Sequence, residues 1–166
     1  DNFFRKRIVS KKRINLRRVG IFTTQSEQSL CDFLQDWFAP HGIEMYTLQE
    51  GVKSRYGLDL VISFGGDGTV LAALSLFPQC PVLAVNFGNI GFLTAGDREE
   101  LGEMLQSVLE ENYIISERTV LECVHPHGTD YAVNEIVIRG ATRLIAVELS
   151  INEQHIRRVR GDGVIV

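Results

Sequence analysis

No run of about 18 uninterrupted apolar residues occurs in the 166-residue sequence, so no membrane-spanning helix and no signal-peptide core is expected; the apolar runs are strand-sized. Lysine is absent after Lys53, and Gly-Lys-Ser/Thr is found nowhere, which excludes a Walker phosphate loop. Cysteine is scarce. Cys31, Cys80 and Cys123 are odd in number and far apart, with no Cys-x-x-Cys and no histidine at ligand spacing. That pattern argues against a disulfide framework and for a reduced, cytoplasmic setting. His125 and His127 flank Pro126 without a nearby third ligand and read as a surface turn rather than a zinc site. A Gly-x-Ser-x-Gly elbow and a cysteine beside a histidine are also missing, so acyl-transfer hydrolases fall away. Four prolines against 15 glycines, with 45% apolar and 23% charged residues, exclude collagen-like, low-complexity and wholly disordered chains.

The net charge of −4 hides an asymmetry. Arg5, Lys6, Arg7, Lys11, Lys12, Arg13, Arg17 and Arg18 place eight of the 17 basic residues in the first 18 positions, against the single acid Asp1. The remainder is strongly acidic, which argues against a body that binds nucleic acid through a basic face. Residues 1–18 read as a solvated basic arm, with RNA or an acidic partner as the lesser alternative. A transit peptide would be basic and acid-poor like this segment, but the segment is poor in serine and begins at Asp, so a fragment boundary is expected there.

Strand and helix alternate up to about residue 112. Val19 to Thr23 is a β-forming run. Ser26 is a candidate N-cap for a helix in which Leu30, Phe33, Leu34, Trp37 and Phe38 share one face, ending at Pro40-His41-Gly42. Glu44 to Leu48 and Val82 to Val85 read as strands, and Leu58 to Phe64 as a strand buried on both faces. A short helix is expected from Thr69 to about Leu76. Another is expected from Asp97, where Asp97 and Glu100 resemble a capping box and Leu101, Met104, Leu105, Val108 and Leu109 form the apolar face. The pattern predicts an α/β domain over 19–112, a parallel sheet flanked by helices. From 113 to 166 only strand-like runs and turns remain: Tyr113 to Cys123, a turn at 127–130, Tyr131 to Arg139, Leu144 to Ile151, a turn at Asn152-Glu153, and His155 onward. An antiparallel β-rich region is expected there, and it looks incomplete because the sequence stops within a strand-like run.

Three clusters carry chemistry. Gly65-Gly66-Asp67-Gly68-Thr69 follows a buried strand, where α/β sheets bind ligands. Glycines let the backbone approach an anion, and a following helix offers its positive end to phosphate. Asp67 has three readings: a magnesium ligand, a proton acceptor for a hydroxyl nucleophile, or a simple helix cap. The dinucleotide fingerprint does not fit, because Leu71 stands where Gly66-x-Gly68 would need a third Gly or Ala. Asn86-Phe87-Gly88-Asn89-Ile90-Gly91-Phe92-Leu93 also follows a strand, so it is expected to share a crevice with Asp67. Phe92 reads either as an aromatic face for a base or as a core contact between the domains. Asn134-Glu135 interrupts an apolar run; in a strand one of the two faces inward and needs partners, either ribose hydroxyls or a structural pair.

Together with Gly161-Asp162-Gly163, in this order and at these spacings over residues 19–166, the motifs resemble the NAD kinase family. The glycine-aspartate loop alone is shared with diacylglycerol, sphingosine and 6-phosphofructokinases, whereas the Asn86 to Leu93 pattern is more specific. The resemblance implies a cytoplasmic, homo-oligomeric enzyme that phosphorylates the adenosine ribose 2′-hydroxyl of NAD, using ATP or polyphosphate and magnesium or another divalent cation. It implies that Asp67 activates that hydroxyl and is the candidate carboxylate for the magnesium. Gly66, Gly68, Thr69 and Arg160 would contact phosphate. Asn86, Gly88 and Phe92 would shape the NAD pocket; Asn134 and Glu135 would hold the adenosine half and Asp162 the nicotinamide half, in a site a neighbouring subunit could complete. Family members continue into a Thr-Pro-Thr-Gly-Ser-Thr-Ala-Tyr-like segment that is not among these residues, so the chain is expected to be truncated and its activity alone to be impaired. A lipid kinase of the diacylglycerol or sphingosine type and a non-catalytic nucleotide-binding module are the alternatives; the sequence offers no amphipathic helix with a basic face for a lipid surface.

Overall fold

The computed structural model describes residues 9–10, 13–23, 28–48, 57–87 and 91–166. Ser26, Gly88 and most of the basic arm lie outside them. The chain divides into two compact units, Asp1–Val120 and Leu121–Val166.

In the first unit the elements run β1 (Val9–Ser10), β2 (Arg18–Thr23), α1 (Gln28–Phe38), β3 (Glu44–Leu48), β4 (Leu60–Phe64), α2 (Asp67–Leu76), β5 (Val82–Asn86), β6 (Gly96–Asp97), α3 (Leu101–Leu109) and β7 (Ile115–Ser116). Five strands form one sheet in the order β3-β2-β4-β5-β6, parallel throughout. The chain leaves β2 towards one edge and β4 towards the other. In such sheets a crevice opens at that reversal, beyond the carboxyl ends of β2 and β4.

Period-2 alternation sends successive side chains to opposite faces of the sheet. Val19, Ile21, Leu60, Ile62, Phe64 and Val85 pack with Leu30, Leu34 and Phe38 of α1 and Leu101, Leu105 and Val108 of α3. Phe22, Leu48 and Val61 pack with Ala73 of α2 and Phe77 on the other face. Central β4 is buried at every position, as its unbroken apolar run predicts. Phe33 departs from the expected stripe: it is exposed, leaving Leu30, Leu34 and Phe38 as the buried face of α1. A 3-10 turn, Ala39–His41, ends at Gly42 in the left-handed region, where glycine is the favoured helix stop.

The later part of the basic arm is tied down. β1 pairs antiparallel with β7, the Ile14 N–H donates to the Tyr113 hydroxyl at 2.8 Å, and Arg13 meets Glu111 at 2.7 Å. These contacts carry the first unit past residue 112, the boundary that patterning suggests, to Val120.

The second unit contains β8 (Leu121–His125), β9 (Gly128–Ala132), β10 (Val137–Arg139), β11 (Ile145–Ile151), β12 (Gln154–Gly161) and β13 (Gly163–Ile165). They pair antiparallel as β8-β9, β10-β13 and β11-β12. The turn at Asn152-Glu153 has positive φ at both residues, the geometry of a two-residue hairpin that follows the natural strand twist. The first hairpin turns at Pro126-His127, earlier than the expected 127–130, with His125 opposite Gly128. The long strand expected over 113–123 is instead two short ones, β7 and β8, in different sheets.

Candidate functional site

β4 ends at Phe64, and Gly65 turns the chain at φ +149, a conformation that side chains rarely adopt. A Cβ there would overlap the Thr69 hydroxyl, while the Gly65 N–H donates to the Val85 carbonyl at 3.0 Å. The loop is thereby pinned between β5 and α2. Gly66 caps α2: its carbonyl accepts the N–H groups of Thr69 and Val70 at 2.9 and 3.2 Å. The helix accordingly begins at Asp67, two residues before the expected Thr69.

Asp67 lies in the first turn of α2, and no side chain caps that helix, which removes the helix-cap reading. Its carboxylate spans to the loop after β5. Oδ2 accepts the Phe92 N–H and Oδ1 the Leu93 N–H, both at 3.0 Å. Each oxygen keeps a further acceptor position. The two glycine-rich segments expected to share a crevice thus meet through this side chain. Asn86, at the end of β5, is buried, as is Thr69. Phe92 is 98% exposed. Gly66 and Gly68 are open among the described residues: a Cβ on either would meet none of their atoms within 4 Å.

Sequence reasoning missed two supports of this edge. Phe87 stacks on Phe64 with ring centroids 5.5 Å apart, and the Arg98 guanidinium lies over Phe87 at 5.5 Å. The Thr94 hydroxyl lies 3.3 Å from both the N–H and the carbonyl of Gly91, closing that loop on itself. A polar residue directly after Gly-Phe-Leu was the available signal for the second. Asp97 and Glu100 exchange the expected hydrogen bonds, Asp97 Oδ1 accepting the Glu99 and Glu100 N–H groups and Glu100 Oε2 the Asp97 N–H at 3.2 Å, but they close a turn ahead of the helix: Asp97 ends β6, and α3 begins at Leu101 with Glu100 as its N-cap, four residues after the expected Asp97.

In the second unit, Asn134 and Glu135 sit in a bend between β9 and β10, both exposed. The expectation that strand alternation turns one of them inward is therefore corrected, because the ladder with β13 engages only from Ile136 onward. Asp162 lies at the opposite end of that ladder, its carbonyl accepting the Gly140 N–H at 3.0 Å. At about 3.4 Å per residue, the two ends are roughly 14 Å apart. Arg160, opposite Ala146 on β12, is exposed. His125 is engaged within its hairpin: Nδ1 accepts the His127 N–H, leaving Nε2 to donate to Asp130 at 3.0 Å. Among the described residues no group of three or more His, Cys, Asp or Glu could hold a metal ion by itself, and no described helix is long and apolar enough to cross a membrane.

The family model for the ATP-NAD kinase N-terminal domain matches residues 13–113, most of the first unit. The chain belongs to the NAD kinase family. An NAD kinase from Thermomicrobium roseum is 30% identical over 158 residues, 90% of this chain and 55% of that protein. One from Methanothermobacter thermautotrophicus is 34% identical over 112 residues, covering 65% and 40%. Among solved structures, an NAD kinase from Archaeoglobus fulgidus in complex with ATP aligns with a TM-score of 0.65 at 25% identity, over 89% of this chain and 59% of that one. Yeast NADH kinase complexed with NADH aligns at 0.71 and 22% identity, over 90% and 54%, a likeness of fold. The chain spans about half the length of the curated NAD kinases it matches.

Proposed function

We propose that this NAD kinase family chain provides the phosphoryl-transfer edge of an enzyme that converts NAD to NADP, with ATP or polyphosphate as donor. The observation that carries the reading is the placement of Asp67. Its carboxylate stands at the N-terminus of α2, fixed by two backbone N–H groups and flanked by Gly66 and Gly68. Neither glycine has a positive φ, and among the described residues none packs so closely as to demand it. A glycine inside a helix costs about 1 kcal/mol relative to alanine, so Gly68 weakens the fold without a structural return. Close approach of a phosphate group explains both glycines.

In this mechanism Asp67 accepts the proton of the adenosine ribose 2′-hydroxyl as its oxygen bonds to the terminal phosphorus of the donor and the bond to the leaving phosphate breaks. Little covalent work falls to the protein; positioning and charge stabilisation dominate phosphoryl transfer. The N–H groups of Asp67 and Gly68, which open α2, face the phosphates together with the Thr69 side chain. A magnesium ion fits this donor set: Asp67 would be its protein carboxylate, and donor phosphates and water supply the other ligands, as is usual for that ion. Bound there, magnesium supplies neutralisation of phosphate charge. Asn86 and exposed Phe92 form the near wall for NAD, Phe92 offering its ring to adenine. Asn134 and Glu135 take the adenosine half, Asp162 the nicotinamide half and Arg160 a phosphate. The separation along the β10–β13 ladder suits a ligand with two ends. A cytoplasmic homo-oligomer completes the proposal.

A coupled assay for NADP, with magnesium, NAD and either ATP or polyphosphate, tests it on this chain and on the full-length product of its gene. Asp67→Asn is expected to lower turnover by about 10²-fold or more while NAD binding, followed by calorimetry, is retained. Near-normal turnover in that variant rejects the role of Asp67. Lipid phosphorylation without NADP formation favours the lipid-kinase alternative, and NAD binding without turnover in the full-length protein favours a binding module.

A further inference from the structure

We infer that Gly91 is a positioning residue, whose missing side chain leaves the space in which the Asp67 carboxylate docks onto the Phe92 and Leu93 N–H groups. A Cβ built on Gly91 would overlap Asp67 Oδ1 and come within 2.8 Å of Cγ, and among the described residues, chain neighbours aside, the three nearest atoms all belong to Asp67. Among the described residues the demand on Gly91 is steric and comes from one side chain. Gly96 is a useful contrast. A Cβ there would meet the ends of Glu100 and Met104, long side chains that can swing aside. Asp67 is short and rooted in the first turn of α2, so it cannot retreat without giving up both N–H bonds. Nor can Gly91 easily withdraw, because Thr94 closes its loop.

Alanine at Gly91 therefore expels the carboxylate from its dock while leaving the rest of the sheet edge in place. The kinetic part of the inference rests on Asp67 being the proton acceptor; the steric part does not. Both are read from the full-length protein as wild type, Gly91→Ala, Asp67→Ala and the double variant. In thermal melts Gly91→Ala is expected to lower the Tm by several degrees in the wild-type background and to cost little in the Asp67→Ala background, where the obstruction is gone. In kinetics, kcat is expected to fall about 10²-fold with KM for NAD changed little, since a displacement near 1 Å is enough for such a loss. Equal Tm losses in both backgrounds overturn the inference, as does a Gly91→Ala protein with wild-type Tm and kcat. If Gly91→Ala does not fold, folding of the double variant supports the steric dock and its failure overturns it. Coupled Tm values in a protein that makes no NADP even as wild type uphold the dock and reject the kinase reading instead.

Discussion

The two units bury their strands in opposite ways. In the first, β4 is enclosed on both faces by side chains from three helices, and every one of its residues is buried. In the second, no residue reaches that class, and Val137, Ile138, Ile151, Ile156 and Ile165 are exposed. Its strands pair only in twos, an arrangement that is marginal by itself in water. Stability in this chain is concentrated in the parallel sheet, where the Asp67 edge is built.

The sharpest way to break this comparison is a pair of core substitutions. Ile62→Ala is expected to lose about 2–5 kcal/mol in denaturant unfolding, whereas Val137→Ala is expected to stay within about 0.5 kcal/mol. Comparable losses would mean that the second unit has a core after all. A second contrast is chemical. Burial, then the charge of Asp59, pushes the Cys80 thiol from 9.0 up to about 11. Ionisation is thus easier in the unfolded chain, so this thiol's contribution to stability, intact below pH 9, is lost as pH rises from 9.0 towards 11. At pH 8 Cys80 is expected to alkylate at least about tenfold more slowly in the native protein than in denaturant, with Cys123 in its two-stranded hairpin labelling first; mass spectrometry of the timed products decides. Gly68→Ala separates fold from function: a Tm increase equivalent to about 1 kcal/mol is expected alongside loss of turnover. The smallest effect is at Ser63, fully buried with a hydroxyl that has no hydrogen-bond partner among the described residues. Ser63→Ala is expected to be neutral or to stabilise by up to about 1 kcal/mol, and a clear loss would show that the hydroxyl has a partner in solution.

The legibility of the sequence follows the same division. Where both faces are covered, local pattern is enough: the apolar run of β4 and the spacing of Leu30, Leu34 and Phe38 appear as read, whereas Asp97 and Glu100 exchange hydrogen bonds ahead of a helix that starts only at Leu101. The α2 start was misplaced because a glycine N-cap leaves no side-chain signature ahead of Asp67. In the second unit, alternation is a weak guide when neither face is buried. The bend at Asn134-Glu135 is set by the pairing of Ile136 with Val166, a partner no local window contains. The site shows the same limit. Both glycine-rich segments were visible, but the bonds joining them cross 25 and 26 residues and depend on the three-dimensional sheet order.

The clasp between β1 and β7 has a consequence for synthesis. Tyr113 receives the Ile14 N–H across 99 residues, so β1 must wait for nearly the whole first unit to be made before its partner exists. At about 5–20 residues per second, that delay is roughly 5–20 s on the ribosome. The clasp is therefore a closing event, formed only once the last strand of the unit has emerged, and the nascent chain can assemble its parallel sheet first.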